Sequence, residues 1–136
     1  MKISILFEKP LSLAEAKITG CKNISKAKRL NSDYILAEEW NLKLKVLDDS
    51  VDIRYIAIRS HNIKLFNDKE NESVNVFNMI IENIVENPFD YTLYIKEVNS
   101  SNVNLINFTI SKEKMKFKIN DIIKVSFQEK YMFTFK

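Results

Sequence analysis

The sequence predicts an all-β protein, a barrel or sandwich of short strands, and three observations predict it. Stretches that alternate apolar and polar residues recur along the chain, with Leu42-Lys43-Leu44-Lys45-Val46 the cleanest. Turn-forming residues separate these stretches at fairly even spacing. Only one segment, near the N-terminus, carries a helix signature.

That segment is Ser12-Leu13-Ala14-Glu15, which reads as a capping box with Ser at the N-cap and Glu three residues on. Ala14, Ala16 and Lys17 favour helix, and Gly20 suits the left-handed position that ends one. A short helix is expected at about Ser12–Ile18. Strands follow at Ile24–Leu30, Tyr34–Glu39, Leu42–Val46 and Ile53–Arg59, with turns at Asn31-Ser32-Asp33 and Trp40-Asn41. In Ile53–Arg59, Ile56 and Ile58 face one way and Ile53, Tyr55, Ala57 and Arg59 the other. Asn67–Ser73 is free of apolar residues and reads as a loop that splits the chain. Val74–Val85 and Tyr91–Val98, broken by Asn87-Pro88-Phe89-Asp90, read as a hairpin. Further strands are expected at Val103–Ile110, Lys114–Ile119, Ile122–Phe127 and Tyr131–Phe135. No internal repeat is visible.

Length and composition bound the function. A chain of 136 residues is one compact domain by default, with room for two small β modules sharing a core. It buries roughly 65–70% of the surface of its unfolded form, so it needs no disulfide or metal staple. One Cys excludes an internal disulfide and a thiolate cluster, and one His excludes a His-based metal site. The single Gly excludes a Walker A loop and a dinucleotide fingerprint, whose glycines let the backbone approach phosphates. With so few of these residues little catalytic machinery can be drawn, and no enzyme acting alone is expected. No apolar run approaches the ~18 residues of a membrane span, and Met1–Pro10 lacks the apolar core of a signal peptide. A cytoplasmic protein is expected. The Asn-x-Ser/Thr triplets at Asn23, Asn71, Asn99 and Asn107 read as chance in an Asn-rich chain.

The net charge is +3. Lys22, Lys26, Lys28 and Arg29 are the nearest approach to a basic cluster, and solvated lysines on strand faces are the plainer reading. A nucleic-acid surface needs basic residues gathered on one face with aromatics between them, which this pattern lacks. Nucleic acid is not an expected partner.

Three blocks carry a resemblance. Phe7-Glu8-Lys9-Pro10 followed by Leu13–Ser25 resembles the stretch after the nucleotide-binding domain of molybdate-type ABC importer ATPases. Tyr55-Ile56-Ala57-Ile58-Arg59-Ser60-His61 resembles that family's Ile-Arg-x-His strand end, and Ser60 in place of a Pro-Glu favours the molybdate-type branch over the maltose and sulfate types. Ile81–Tyr94 is similar to the hairpin of the transport-associated OB-like domain, TOBE. The blocks keep the family's order. The resemblance implies a junction segment and short helix over 1–23, then an OB-like β-barrel over 24–136 in two subregions split near 67–73. It implies a regulatory and dimerisation role that senses molybdate, tungstate or sulfate. The partners would be a second copy, the ATPase domain and, through it, the membrane permease at the inner face of the cell membrane. The ATP-hydrolysing domain of the family is not in this sequence. A free-standing cytoplasmic oxyanion-binding protein is the alternative, and an OB-fold nucleic-acid module a more distant one.

A tetrahedral dianion needs several preorganised N–H and O–H donors in a modest positive field. Lys22, Asn23 and Ser25 form one donor cluster, although a polar turn after a helix is the plainer reading. Arg59, Ser60 and His61 form the second, and its plainer reading is a structural strand end. No cofactor is expected, only molybdate or tungstate as a ligand. Cys21 reads as a small buried hydrophobe rather than a nucleophile. Glu82 and Glu86, ~13 Å apart on a strand, read as solvent-facing charge. Trp40 reads as core.

Overall fold

The computed structural model describes residues 21–47, 51–66 and 75–136. The expected helix at Ser12–Ile18 and the loop at Asn67–Ser73 lie outside them. The described residues contain ten strands: β1 (Asn23–Arg29), β2 (Tyr34–Ala37), β3 (Leu42–Lys45), β4 (Tyr55–Ile58), β5 (Lys64–Leu65), β6 (Val76–Glu86), β7 (Asp90–Glu97), β8 (Ile106–Ser111), β9 (Ile122–Ser126) and β10 (Met132–Phe135). One-turn 3-10 segments at Ser60–Asn62 and Glu129–Tyr131 precede β5 and β10. The OB-like, all-β architecture expected from the sequence is the one observed.

The strands form two five-stranded antiparallel sheets, ordered β10-β4-β1-β2-β3 and β5-β9-β6-β7-β8. The second order repeats the first. In each half the first strand lies between the second and the fourth, and the third forms an edge. In each half, too, the fifth strand crosses to pair with the fourth strand of the other half. The exchange is symmetric residue by residue. Ile58 pairs with Met132 and Ala57 with Phe133; Ser126 pairs with Lys64 and Val125 with Leu65. One step along the chain carries Ile58 to Ser126 and Lys64 to Met132, so each pairing maps onto the other. The repeat that is invisible in the sequence is therefore plain in the topology. Strand pairing is a backbone property, and side chains can differ at every equivalent position so long as the alternation survives.

The first strand of each half curls. β1 uses residues 23–26 to pair with β4 and residues 27–29 to pair with β2. β6 pairs with β9 through residues 76–80 and with β7 through residues 79–86, so Met79 and Ile80 serve both, and a bulge falls between Ile81 and Asn83. Such a strand bends two pairings round one core. That core is continuous between the sheets: Ile35, Leu44, Ile56 and Ile58 from one meet Met79, Ile81, Leu93, Ile95, Phe108 and Val125 from the other. The opposite face of the first sheet holds a smaller cluster of Cys21, Ala57, Phe133 and Phe135. The two-sided reading of Ile53–Arg59 thus holds for Ile56, Ala57 and Ile58, with apolar residues packed on both faces.

One expected strand is absent. Lys114–Ile119 alternates Lys with Met, Phe and Ile, yet it is turn and irregular chain. Met115 and Phe117 do pack on the core, which explains the alternation. Its described backbone bonds are local, Lys114 N–H to Ser111, Met115 N–H to Lys112 and Lys118 N–H to the Asp121 carboxylate. Burial by itself produced a period of two, without a ladder. Four turn residues hold positive φ, Asn41 (55°), Asn75 (57°), Asn102 (58°) and Asn120 (76°). Asn tolerates this region because its short amide bonds locally, and it fills a role often given to Gly.

Candidate functional site at the junction of the halves

Two edges need closing, those of β3 and β8. Each is closed by an Asn carboxamide from the other half. Asn23 donates through Nδ2 to the Asn107 carbonyl at 2.7 Å, and its Oδ1 accepts the Asn107 N–H at 2.7 Å. Asn75 donates through Nδ2 to the Lys45 carbonyl at 2.8 Å and accepts the Lys45 N–H at 2.7 Å. A planar amide offers a donor and an acceptor side by side, so it imitates the next strand's backbone. The two clamps occupy related places, one residue out of register: Asn23 pairs with Ile58, and Val76, beside Asn75, pairs with Ser126.

The first junction is polar. Asn23 is buried and lies next to the end of β4, from which Arg59 and Ser60 continue. Thr109, two residues beyond Asn107 on β8, donates to Ser60 Oγ at 2.8 Å. Two hydroxyls carry two protons and this bond uses one, so one proton remains to serve a third group. Arg59 is buried, with its guanidinium carbon 5.7 Å from the centre of the Phe133 ring. His61 is exposed at the rim. Partial burial of the ring pushes its pKa below the ordinary imidazole value, and the nearby Arg59 and Lys64 charges push it further. Cys21 sits under the same Arg59. Burial raises its pKa, against the opposing Arg59 charge and a backbone hydrogen bond at Asn23, so the thiol is held protonated and inert.

The structure divides the expected site residues. Asn23 and Ser60 both reach β8, at Asn107 and Thr109, whereas Arg59 packs on Phe133 and His61 lies on the rim. Lys22 is exposed, and alternation turns it away from Asn23. Ser25 is fully buried deeper along β1; its hydroxyl donates to the Lys26 carbonyl at 2.9 Å and accepts the Glu39 N–H at 3.0 Å. Both hydrogen-bonding roles of that hydroxyl are thus taken by backbone. Asn107 and Thr109 join the junction although no pattern in the chain singled them out. They alternate with buried Ile106, Phe108 and Ile110 and so look like the wet side of a strand. The carboxylates Glu82 and Glu86 are exposed and ion-paired to Lys96 and Lys112 at 3.1 and 3.2 Å. Among the described residues no three His, Cys, Asp or Glu side chains gather as a metal site.

The second junction is apolar. The step that relates the fourth and fifth strands carries Arg59 to Phe127, Ser60 to Gln128 and His61 to Glu129. Phe127 is fully buried and packs edge-on against Trp40 and Phe77, with ring centres 6.3 and 5.7 Å apart. Asn75 Nδ2 also donates to the Phe127 carbonyl at 3.1 Å.

The described fold places the chain among OB-like β-barrel proteins. A solved structure similar to it is that of the cytoplasmic molybdate-binding protein ModG with molybdate bound, with a TM-score of 0.61 and 12% identity over 83% of this chain and 94% of that one. At that identity the likeness is one of fold. No family model matches the sequence, and no curated protein matches it.

Proposed function

We propose that this protein binds a mononuclear tetrahedral oxyanion of the molybdate class, at the first junction. The observation that carries the proposal is the run Arg59-Ser60-His61 at the end of β4, with Arg59 buried and Ser60 hydrogen-bonded to Thr109 of the other half, in a fold similar to that of a molybdate-binding protein. Arg59 supplies a permanent positive charge and a planar fork of N–H donors. The hydroxyl pair supplies the spare proton, and His61 adds charge when protonated. Molybdate, tungstate and sulfate share this donor requirement, and sulfate is the smallest of the three. Binding rather than turnover is the role proposed, and no cofactor is invoked.

Two settings fit that role. The match over nearly the whole length of ModG favours a free-standing cytoplasmic binder. The three sequence blocks that resemble molybdate-type importer ATPases favour a regulatory domain. In that setting a second copy, the ATPase domain and the permease would be the partners, at the inner face of the cell membrane.

Calorimetric titration with molybdate, tungstate and sulfate, alongside mass in solution with and without ligand, tests the proposal. Saturable binding is expected for at least one anion, weakened about tenfold or more by Arg59→Met, the loss of one charge-assisted hydrogen bond. A folded protein that binds none of the three sinks it. A ligand-dependent dimer would support the regulatory setting, and an unchanged monomer the free-standing one.

A further inference from the structure

We infer that the chain holds one anion site and not two, because the position related to it by the internal symmetry is closed by an aromatic plug. The inference rests on the proposed anion binding and deepens it. The exchanged strands make the two junctions equivalent in backbone, and both use an Asn carboxamide to hold the third strand of the other half. A duplicated fold of this kind offers two places for the same ligand. The residues that follow the fourth strands decide otherwise.

At the first junction they are Arg59, Ser60 and His61, and Thr109 faces Ser60. At the second they are Phe127, Gln128 and Glu129. Phe127 has no donor in its side chain, and its ring is fully buried between Trp40 and Phe77. A ring so packed leaves no room for an anion and returns none of its hydration. Glu129 stands where His61 stands at the first junction, so a potential cation is replaced by a carboxylate that repels an oxyanion. The Asn75 amide is fully engaged as well, with Lys45 at both ends and Phe127 besides. The second junction therefore locks the halves together and leaves recognition to the first.

Titration of the full chain with molybdate reads the stoichiometry, with tungstate as the second probe should molybdate bind too weakly to saturate. One anion per chain is expected. Arg59→Met should lower affinity about tenfold or more. Phe127→Met, which keeps bulk and apolarity, should leave it within about twofold once a native circular-dichroism spectrum shows the variant is folded. Two anions per chain, or a folded Phe127→Met protein that loses affinity as Arg59→Met does, overturns the inference while leaving anion binding intact. A folded chain that binds none of molybdate, tungstate and sulfate removes the proposed function and this inference with it.

Discussion

The two junctions share a backbone and differ in chemistry, and the difference separates what the fold requires from what it permits. Each edge leaves N–H and C=O groups unpaired at a half-buried residue, Lys45 on β3 and Asn107 on β8, and a partner from the other half closes it. Both are closed in the same way, by Asn23 and by Asn75. The residue after each fourth strand is under no such demand. At one place it is Arg59, a charge held beside Phe133; at the other it is Phe127, an aromatic packed between aromatics. The second junction should accordingly govern stability and the first should govern ligand.

Removing the Phe127 ring tests that division with the largest effect. Phe127→Ala should cost about 3–5 kcal/mol, the range for a large aromatic cut from a closed core. It should be read as a lower denaturant midpoint at unchanged m-value. A loss below about 1 kcal/mol would mean the second junction is not the lock. Asn75→Ala comes next. It strands the Lys45 N–H and carbonyl, at about 1–3 kcal/mol for each buried group left unpaired, and it forces Ala into a positive φ of 57° at a further ~1 kcal/mol. Asn75→Gly should recover the backbone part alone. Asn23→Ala strands one N–H and one carbonyl of Asn107 without the backbone penalty, so it should destabilise less than Asn75→Ala. Equal losses would show that the αL conformation at Asn75 carries no strain that matters.

The sequence made the outline of this fold legible and left its joints obscure. β1, β3 and β9 announce themselves by alternation. The β6–β7 turn is written in Asn87-Pro88-Phe89, where Asn87 Nδ2 bonds the Asp90 carboxylate and the Thr92 hydroxyl. Trp40 is core, as its size suggested, and the turn at Asn41 carries the left-handed residue. β5 escaped notice because two residues, Lys64 and Leu65, make no pattern. The strand expected at Lys114–Ile119 failed for the converse reason, a pattern without a pairing partner. The site divided along the same line. Arg59, Ser60 and Asn23 were legible as donors at strand ends. Asn107 and Thr109 were not, because what brings them to the junction is the packing of β8 against the other half, a contact across more than eighty residues for Asn23 and Asn107.

The smallest effect concerns His61, and it distinguishes the junctions by proton rather than by packing. Burial, Arg59 and Lys64 all disfavour the imidazolium in the folded protein. As pH falls, the unfolded chain therefore takes up this proton before the folded one, near the ordinary value of 6.5. The stability contributed by neutral His61 is complete above that value and declines as pH falls through it toward the lower folded value; below both, the loss is complete and the slope vanishes. His61→Gln should flatten this slope in denaturant titrations across the same window, and an unchanged slope would place the titration elsewhere. Anion affinity should run the opposite way. An oxyanion beside Arg59 offsets the charges that depress His61, so binding should draw in a proton and tighten as pH falls through this window. His61→Gln should remove that dependence while leaving affinity at higher pH little changed. If the pH dependence of binding survives the substitution, His61 does not face the ligand, and the anion is held by Arg59 and the hydroxyl pair alone.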